Sequence, residues 1–523
     1  MEKVLRQVLD QRANPSADVV ERNLISSNTH RDQETSAYMD ADSMKEACGV
    51  VGVYSKGEDV ARVAFFGIFA LQHRGQESAG IATADGERIR MRTSMGLVSQ
   101  AFQEDHLTDL PGHIAIGHTR YSTTGSSHIS NAQPIVSQGP NVELALAHNG
   151  NVINALDLRA ELEILGCQFK GSNDSEIIAQ LLSHAPSDNW PDRIAYIMRK
   201  LRGAYSLTVL TKDAVIGIRD PLGVRPLCIG KLNGGWVIAS ESCALDHVGA
   251  TYIREIEPGE AVIVDADGFR TIYRSSQSVK RASCVFENIY FARPDSIMNG
   301  RLLYSDRMKM GAELAKEYPV EADMVIGVPD SATAAAVGYS QESGIPFGEG
   351  LVKNRYVGRT FIQPSQTLRQ LGLRLKLNAL EHMIRGKKLV VVDDSIVRGN
   401  TQRAQIRMLR EAGALEVHVR ISSPPVKWPC FYGIDFATRA ELIANGLDVE
   451  EIAASVGADS LGYISLDGMI ESTGQQRLAL CTACFTGEYP VELPDESLLG
   501  KHLLEATLSS PTMGRALPVL NNP

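Results

Sequence analysis

Residues 390–401 read Val390-Val-Val-Asp-Asp-Ser-Ile-Val-Arg-Gly-Asn-Thr401, and this run constrains the fold more than any other stretch of the chain. A buried apolar strand ends in two adjacent carboxylates. A loop carrying Ser395, Gly399, Asn400 and Thr401 then enters a helical pattern at about 400–412, stopped by Gly413. Strands expected at Met324–Val328, Lys388–Val392 and Leu415–Ile421 surround it. Strand, helix and strand at this spacing predict a parallel α/β sheet. Backbone N–H groups at a helix start bind phosphate, and the hydroxyls add donors. The acids fall at the carboxyl end of a strand, where open α/β sheets bind ligands. Carboxylates beside a phosphate site suit ribose hydroxyls and Mg²⁺, a hard oxygen-seeking cation. A bland alternative is a surface Asp-Asp turn before an ordinary helix cap. Two acids alone would favour it, and the full twelve-residue context argues against it.

The chain has 523 residues, enough for two or three domains with buried cores. Its net charge of −10 gives no suggestion of non-specific nucleic-acid binding. No apolar run is long enough to span a bilayer, and Met1–Asp10 lacks signal-peptide character, so a cytoplasmic protein with no membrane partner is expected. Disulfides are rare in that compartment, which leaves packing, catalysis or metal binding for the eight cysteines.

Residues 1–47 are polar and weakly periodic and read as a mostly disordered leader. At Cys48 the character changes to short β-type runs: Cys48–Tyr54, Ala79–Ala84, Ile114–His118, Glu143–Ala147, Ser206–Leu210, Ala214–Ile218, Trp236–Ala239 and Glu260–Val264. Helical patterns at about 60–72, 154–165 and 174–183 interrupt them, as in a layered α+β domain. The polar stretch Arg274–Ser283 reads as a linker. The divisions expected are 1–47 leader, 48–280 first domain, 281–505 second domain and 506–523 tail.

The 390–401 run resembles the PRPP (phosphoribosyl pyrophosphate) motif of type I phosphoribosyltransferases. The resemblance implies that Asp393 and Asp394 face the ribose hydroxyls and Mg²⁺, with Ser331 as a further metal ligand. It also implies that Ser395, Arg398, Gly399, Asn400 and Thr401 hold the 5′-phosphate. Gly327-Val-Pro-Asp-Ser331 looks like the pyrophosphate loop, and Lys353-Asn-Arg-Tyr-Val-Gly-Arg359, with Lys353 and Arg355, like a basic loop that closes over substrate.

Four segments accompany Cys48: His73-Arg-Gly-Gln-Glu77, Gly117-His-Thr-Arg-Tyr-Ser-Thr123, His148-Asn-Gly-Asn151 and Asn173-Asp-Ser-Glu176. Together they resemble the N-terminal-nucleophile glutamine amidotransferases. With the second half, they are similar across nearly all of residues 48–505 to glutamine phosphoribosylpyrophosphate amidotransferases. The fold implied is an αββα glutaminase domain followed by an α/β type I phosphoribosyltransferase domain. The function implied is conversion of PRPP, glutamine and water to 5-phosphoribosylamine, glutamate and pyrophosphate, the first committed step of purine synthesis. Cys48 would be the nucleophile. A thiol needs a base near pH 7, and an α-amino group with a pKa near ~7.7–8.0 serves if Cys48 is the first residue. His73, His118 and His148 then read as structural. By the resemblance, Arg120 pairs with the glutamine α-carboxylate, Asp174 takes the α-ammonium, and Asn149 with the Gly150 N–H forms the oxyanion hole. Cleavage after Ala47 is therefore expected. A start at Met44 with a shorter leader is the alternative.

Cys481-Thr-Ala-Cys484 alone reads equally as a redox pair, a metal half-site or a coincidence. With Cys284 and Cys430 it makes four thiols, which suit zinc or a [4Fe–4S] cluster. The contexts of Cys284, Cys430, Cys481 and Cys484 resemble the cluster-bearing branch of the family, where the cluster would be structural. Cys167, Cys228 and Cys243 read as packing residues. The family resemblance further implies feedback by purine nucleotides and a homo-oligomer, most simply a tetramer. Two rivals are a different amidotransferase, such as a glucosamine-6-phosphate synthase, and a regulatory sensor with a dead glutaminase site. The Asp393–Thr401 loop argues against the first. Intact Cys48, Arg120, Asn149 and Asp174 argue against the second.

Overall fold

The computed structural model describes residues 48–121, 125–275, 281–354, 377–434, 438–494 and 504–505. The leader, Arg355 with the rest of the basic loop, and the tail from residue 506 lie outside them.

Thirteen strands of the first half form two antiparallel sheets. They are β1 (Gly49–Ser55), β2 (Ser78–Ala84), β3 (Ile89–Met95), β4 (Ile114–Arg120), β5 (Ile135–Gln138), β6 (Glu143–Val152), β7 (Gly203–Leu210), β8 (Val215–Arg219), β9 (Cys228–Leu232), β10 (Gly235–Ala239), β11 (Thr251–Glu255), β12 (Glu260–Asp265) and β13 (Gly268–Arg274). The first sheet runs β11-β9-β10-β1-β4-β2-β3 and the second β13-β12-β8-β7-β6-β5. The alternation in β1 shows how they stack. Val51 and Val53 face helix α1 (Val60–Ala70), whereas Val50 and Tyr54 face the other sheet beside Ala145, Leu210 and Val215. On the far side of the second sheet, α2 (Ala155–Ile164), α3 (Asp174–Ser183) and α4 (Trp190–Lys200) bury Leu158, Ile177, Ile178, Ile194 and Ile197. The layers are α, β, β, α.

In the second half, β14 (Met324–Gly327), β15 (Lys388–Asp393), β16 (Glu416–Ile421) and β17 (Ser460–Tyr463) make a parallel sheet in that order. Along β15, Val390 and Val392 join a core with α5 (Leu303–Glu317) and α6 (Thr333–Ser343). Leu389 and Val391 pack on the opposite face, with Ile406 and Leu409 of α7 (Asn400–Glu411). A strand buried on both faces is the reason for its unbroken apolar run.

Residues 276–280 of the stretch read as a linker lie outside the described residues. Backbone bonds from Ala282 N to the Leu222 carbonyl (2.9 Å) and from Cys284 N to the Val224 carbonyl (3.0 Å) dock residues 282–284 onto the first domain. Ser283–Cys284 then pairs in parallel with Leu480–Cys481, so that Cys284 lies opposite Cys481.

Candidate active sites

β1 begins immediately after Cys48, whose thiol is buried and donates from Sγ to the Tyr121 carbonyl (3.2 Å). Burial pushes this thiol up to about 11, against the opposing effects of the Tyr121 bond and the Arg120 charge. A small pocket lies against it, lined by Arg120, Tyr121, Gln133, His148, Gly150, Asn173, Asp174 and Ser175. β4 delivers Arg120, which donates from Nη1 to Glu77 (2.6 Å) and to the Ser126 carbonyl (3.2 Å). Asp174 opens α3, where Asn173 caps the helix by accepting from Glu176 N (2.9 Å). Its Oδ2 accepts from Val152 N (2.9 Å), tying the helix to β6. Although burial alone would raise it, His148 and the backbone donors hold the Asp174 carboxyl below its ordinary value.

β6 also carries Asn149 and Gly150. Both polar side-chain atoms of Asn149 are buried without a hydrogen-bond partner. A buried amide left this way is costly and points to a missing ligand. Gly150 has φ +150°, and a Cβ there would sit 2.0 Å from the Ala204 carbonyl oxygen, so no other residue fits. His118 and His148 are buried and bonded inward: His118 Nε2 lies 3.1 Å from the His148 carbonyl, and His148 Nδ1 lies 3.1 Å from Ser175 Oγ. His73 Nε2 lies 2.7 Å from Glu241.

In the parallel sheet, β15 ends on Asp393, and Asp394 follows. Both are nearly buried. Asp394 accepts from Ser331 Oγ at Oδ2 (2.6 Å) and from Ser395 Oγ at Oδ1 (2.7 Å). Gln402 Nε2 donates to Asp393. Burial raises both carboxyls, and for Asp393 the neighbouring charge of Asp394 adds to it. A divalent cation would relieve that repulsion, and the available donors are oxygens, as Mg²⁺ requires. Gly399 caps α7, which starts at Asn400 and Thr401. Arg398 is held by Glu441 (3.1 Å), and Asn400 by Arg403 (2.8 Å). Lys353 reaches Asp330 of the 327–331 loop (2.9 Å). The fold therefore brings together Ser331, Asp393, Asp394, Ser395 and the start of α7. Arg355 lies outside the described residues.

The four cysteines come from three distant segments and gather at one place. Cys284 faces Cys481 across the two-stranded ladder, Cys484 lies in the same buried core, and Cys430 packs against it. Burial raises all four thiols, Cys284 to about 12, and their mutual influence opposes ionisation of Cys284, Cys481 and Cys484. Backbone N–H groups point at them, among them Tyr432 N at Cys430 Sγ (3.4 Å). Among the described residues, no group of three or more His, Cys, Asp or Glu side chains converges as a single metal ion would need. Cys228 and Cys243 sit in the core under α1, and Cys167 packs against the α2–α4 core.

Sequence reasoning missed a buried ionic chain linking these places. Arg74 donates from Nε to the Cys48 carbonyl (3.1 Å), from Nη1 to Glu241 (2.5 Å) and from Nη2 to Glu287 (2.7 Å). Glu287 also accepts from Arg225 Nη1 (3.1 Å), and the Arg225 charge eases the burial penalty on Cys284 and Cys430. Arg74 lies in the His73–Glu77 segment noted above, and Glu287 follows Cys284 by three residues. Their pairing across 213 positions has no local signature.

A glutamine amidotransferase domain model matches residues 118–247, and a phosphoribosyl transferase domain model matches residues 295–422. The amidophosphoribosyltransferase of Mycobacterium bovis is 54% identical over 490 residues, covering 91% of this chain and 93% of the relative. That of Synechocystis sp. is 51% identical over 497 residues, covering 94% and 99%. Among solved structures, glutamine phosphoribosylpyrophosphate amidotransferase from B. subtilis, complexed with ADP and GMP, superposes with a TM-score of 0.81 at 46% identity, covering 86% of this chain and 98% of that one.

Proposed function

The chain belongs to the amidophosphoribosyltransferase family, and from that premise we propose how its residues divide the work. The family's enzymes are glutamine-dependent phosphoribosyltransferases. The overall reaction takes PRPP, glutamine and water to 5-phosphoribosylamine, glutamate and pyrophosphate, in purine biosynthesis.

In our reading, Cys48 Sγ attacks the γ-carbonyl of glutamine. Asn149 and the Gly150 N–H receive the oxyanion, Arg120 holds the α-carboxylate and Asp174 the α-ammonium. Ammonia leaves, and water then releases glutamate from the thioester. Removal of residues 1–47 frees the Cys48 amine as the base. The thiol pushed up to about 11 supports this need, because it donates to a backbone carbonyl, which cannot take a proton at neutral pH. The observation that carries the glutaminase assignment is Asn149, a buried amide with no partner beside the nucleophile's pocket.

At the second site, Asp393 and Asp394 face the ribose, while Ser395, Arg398, Gly399, Asn400 and Thr401 hold the 5′-phosphate. Lys353 and Arg355 close over pyrophosphate. Bound Mg²⁺, held by Ser331, Asp393 and Asp394, would neutralise the leaving pyrophosphate. Cys284, Cys430, Cys481 and Cys484 would hold a structural [4Fe–4S] cluster. Support comes from the grouping of the four thiols in and against one buried core, with a backbone donor on Cys430. The ADP and GMP on the B. subtilis relative support regulation of this chain by purine nucleotides.

Pyrophosphate release separates the parts of this reading. Cys48→Ala and Asn149→Ala should lose glutamine-dependent turnover, by about 10²–10³ for the latter, and keep ammonia-dependent turnover. If Asn149→Ala keeps full glutamine use, the oxyanion assignment is wrong. The active preparation should begin at Cys48 and contain iron and acid-labile sulfide. A glutaminase-active chain beginning at Met1, or stoichiometric zinc without iron, overturns the corresponding part.

A further inference from the structure

We propose that the Cys430–Gly433 segment of the phosphoribosyltransferase half positions the oxyanion donors of the glutaminase half, with Gly433 and Asn151 as positioning residues. This rests on the assignment of Asn149 and Gly150 above and extends it across the domain boundary.

Gly433 has φ +97°, and a Cβ there would fall 2.8 Å from the Gly150 carbon, 2.9 Å from its oxygen and 3.0 Å from its Cα. The two backbones are therefore in direct contact. On its own side, Gly150 meets the Ala204 carbonyl so closely that a Cβ would lie 2.0 Å from that oxygen. The glycine is gripped between β7 and the 430–433 segment, which fixes the direction of its N–H.

Two hydrogen bonds hold the segment in register. Asn151 Nδ2, one residue beyond Gly150, donates to the Phe431 carbonyl (2.9 Å). Arg225 Nε donates to the Tyr432 carbonyl (3.0 Å), and the same guanidinium reaches Glu287, which binds Arg74 on the Cys48 carbonyl. Nucleophile and oxyanion strand are thus braced by one connected set of groups. The segment is itself anchored. Cys430 starts it within the cysteine group, and Tyr432 Oη donates to the Val491 carbonyl (3.0 Å). Upstream, β16 leads into it at Ser422, whose N–H donates to the Asp393 carbonyl (2.9 Å). A dozen residues connect the ribose-facing acid to the oxyanion glycine.

The test compares Gly433→Ala and Asn151→Ala in the full, iron-loaded enzyme, with iron content measured for each. Gly433→Ala should lower glutamine-dependent kcat about 10- to 100-fold with little change in the glutamine KM, because displacement of a donor is felt in the transition state. Ammonia-dependent turnover and the PRPP KM should stay as they are. Glutamate γ-semialdehyde, which forms a hemithioacetal with the Cys48 thiol, should bind more weakly by a similar factor. Asn151→Ala adds no atom and removes the hydrogen bond to the Phe431 carbonyl, so it should show the same pattern at about 3- to 10-fold. The proposal fails if glutamine- and ammonia-dependent rates fall together, if the aldehyde binds both variants normally, or if neither variant differs from the parent. Asn149→Ala, assayed alongside, distinguishes the failures. If it loses glutamine use while Gly433→Ala and Asn151→Ala do not, positioning alone is wrong. If it too is unaffected, the oxyanion assignment is wrong.

Discussion

His118 sits inside the first sheet, and burial lowers its imidazole to about 3 from an ordinary 6.5. Below pH 6.5 the unfolded chain takes up a proton here that the folded chain refuses. The stability from this residue is therefore complete above 6.5 and falls by about 1.4 kcal/mol per pH unit as pH drops toward 3. His118→Gln should flatten the acid limb of a stability profile measured by denaturant titration between pH 6.5 and 4. An unchanged slope would place the acid sensitivity elsewhere. Legibility at this scale depended on sequence proximity. Asp393 and Asp394 could be read because the two acids adjoin each other at a strand end. Asn149 could be named from its motif, yet its unpartnered burial arises only in the folded chain. Gln402, which holds Asp393, gave no signal, since a glutamine in the first turn of a helix is commonplace.

At the scale of elements, Glu287 opens a π-helical turn, Glu287–Phe291, and serves two buried arginines at once. Removing its charge leaves Arg74 and Arg225 short of a partner inside the protein. Glu287→Gln should therefore destabilise the enzyme by roughly 3–5 kcal/mol, read as a lower denaturation midpoint. A loss under about 1 kcal/mol would mean that Glu241 and the backbone carbonyls suffice. The strands foreseen in the sequence were largely those buried on both faces, where apolar runs are dense, such as β1 and β12. Those missed include β3, β11 and β13, which close sheet edges and carry charges such as Arg90, Arg92, Arg254 and Arg270. Edge strands read as polar because one side is wet. Helix α3 was foreseen at about 174–183 and is found at Asp174–Ser183, capped by Asn173.

Across the whole molecule, two halves share a braced boundary, and no local residue pattern measures how deeply they interlock. Leu504 is the clearest case. It is buried in the α2–α4 core of the glutaminase half, with Leu144, Ile177 and Ile263 among that core's residues, although more than two hundred residues of the other half precede it. Glu505 beside it accepts from Ser172 Oγ (3.5 Å), and Arg202 reaches the Glu492 carbonyl (2.7 Å). Leu504→Ala should cost about 2–5 kcal/mol, and hydrogen exchange should register the loss in α2–α4 rather than in the parallel sheet. Protection lost only around β14–β17 would contradict this placement. The consequence concerns timing during synthesis. A ribosome makes the glutaminase half first, yet Leu504 of its helical layer is added only after more than two hundred residues of the other half. A nascent chain cannot seal the core of its ammonia-producing half with Leu504 until most of the half that consumes ammonia has also been made.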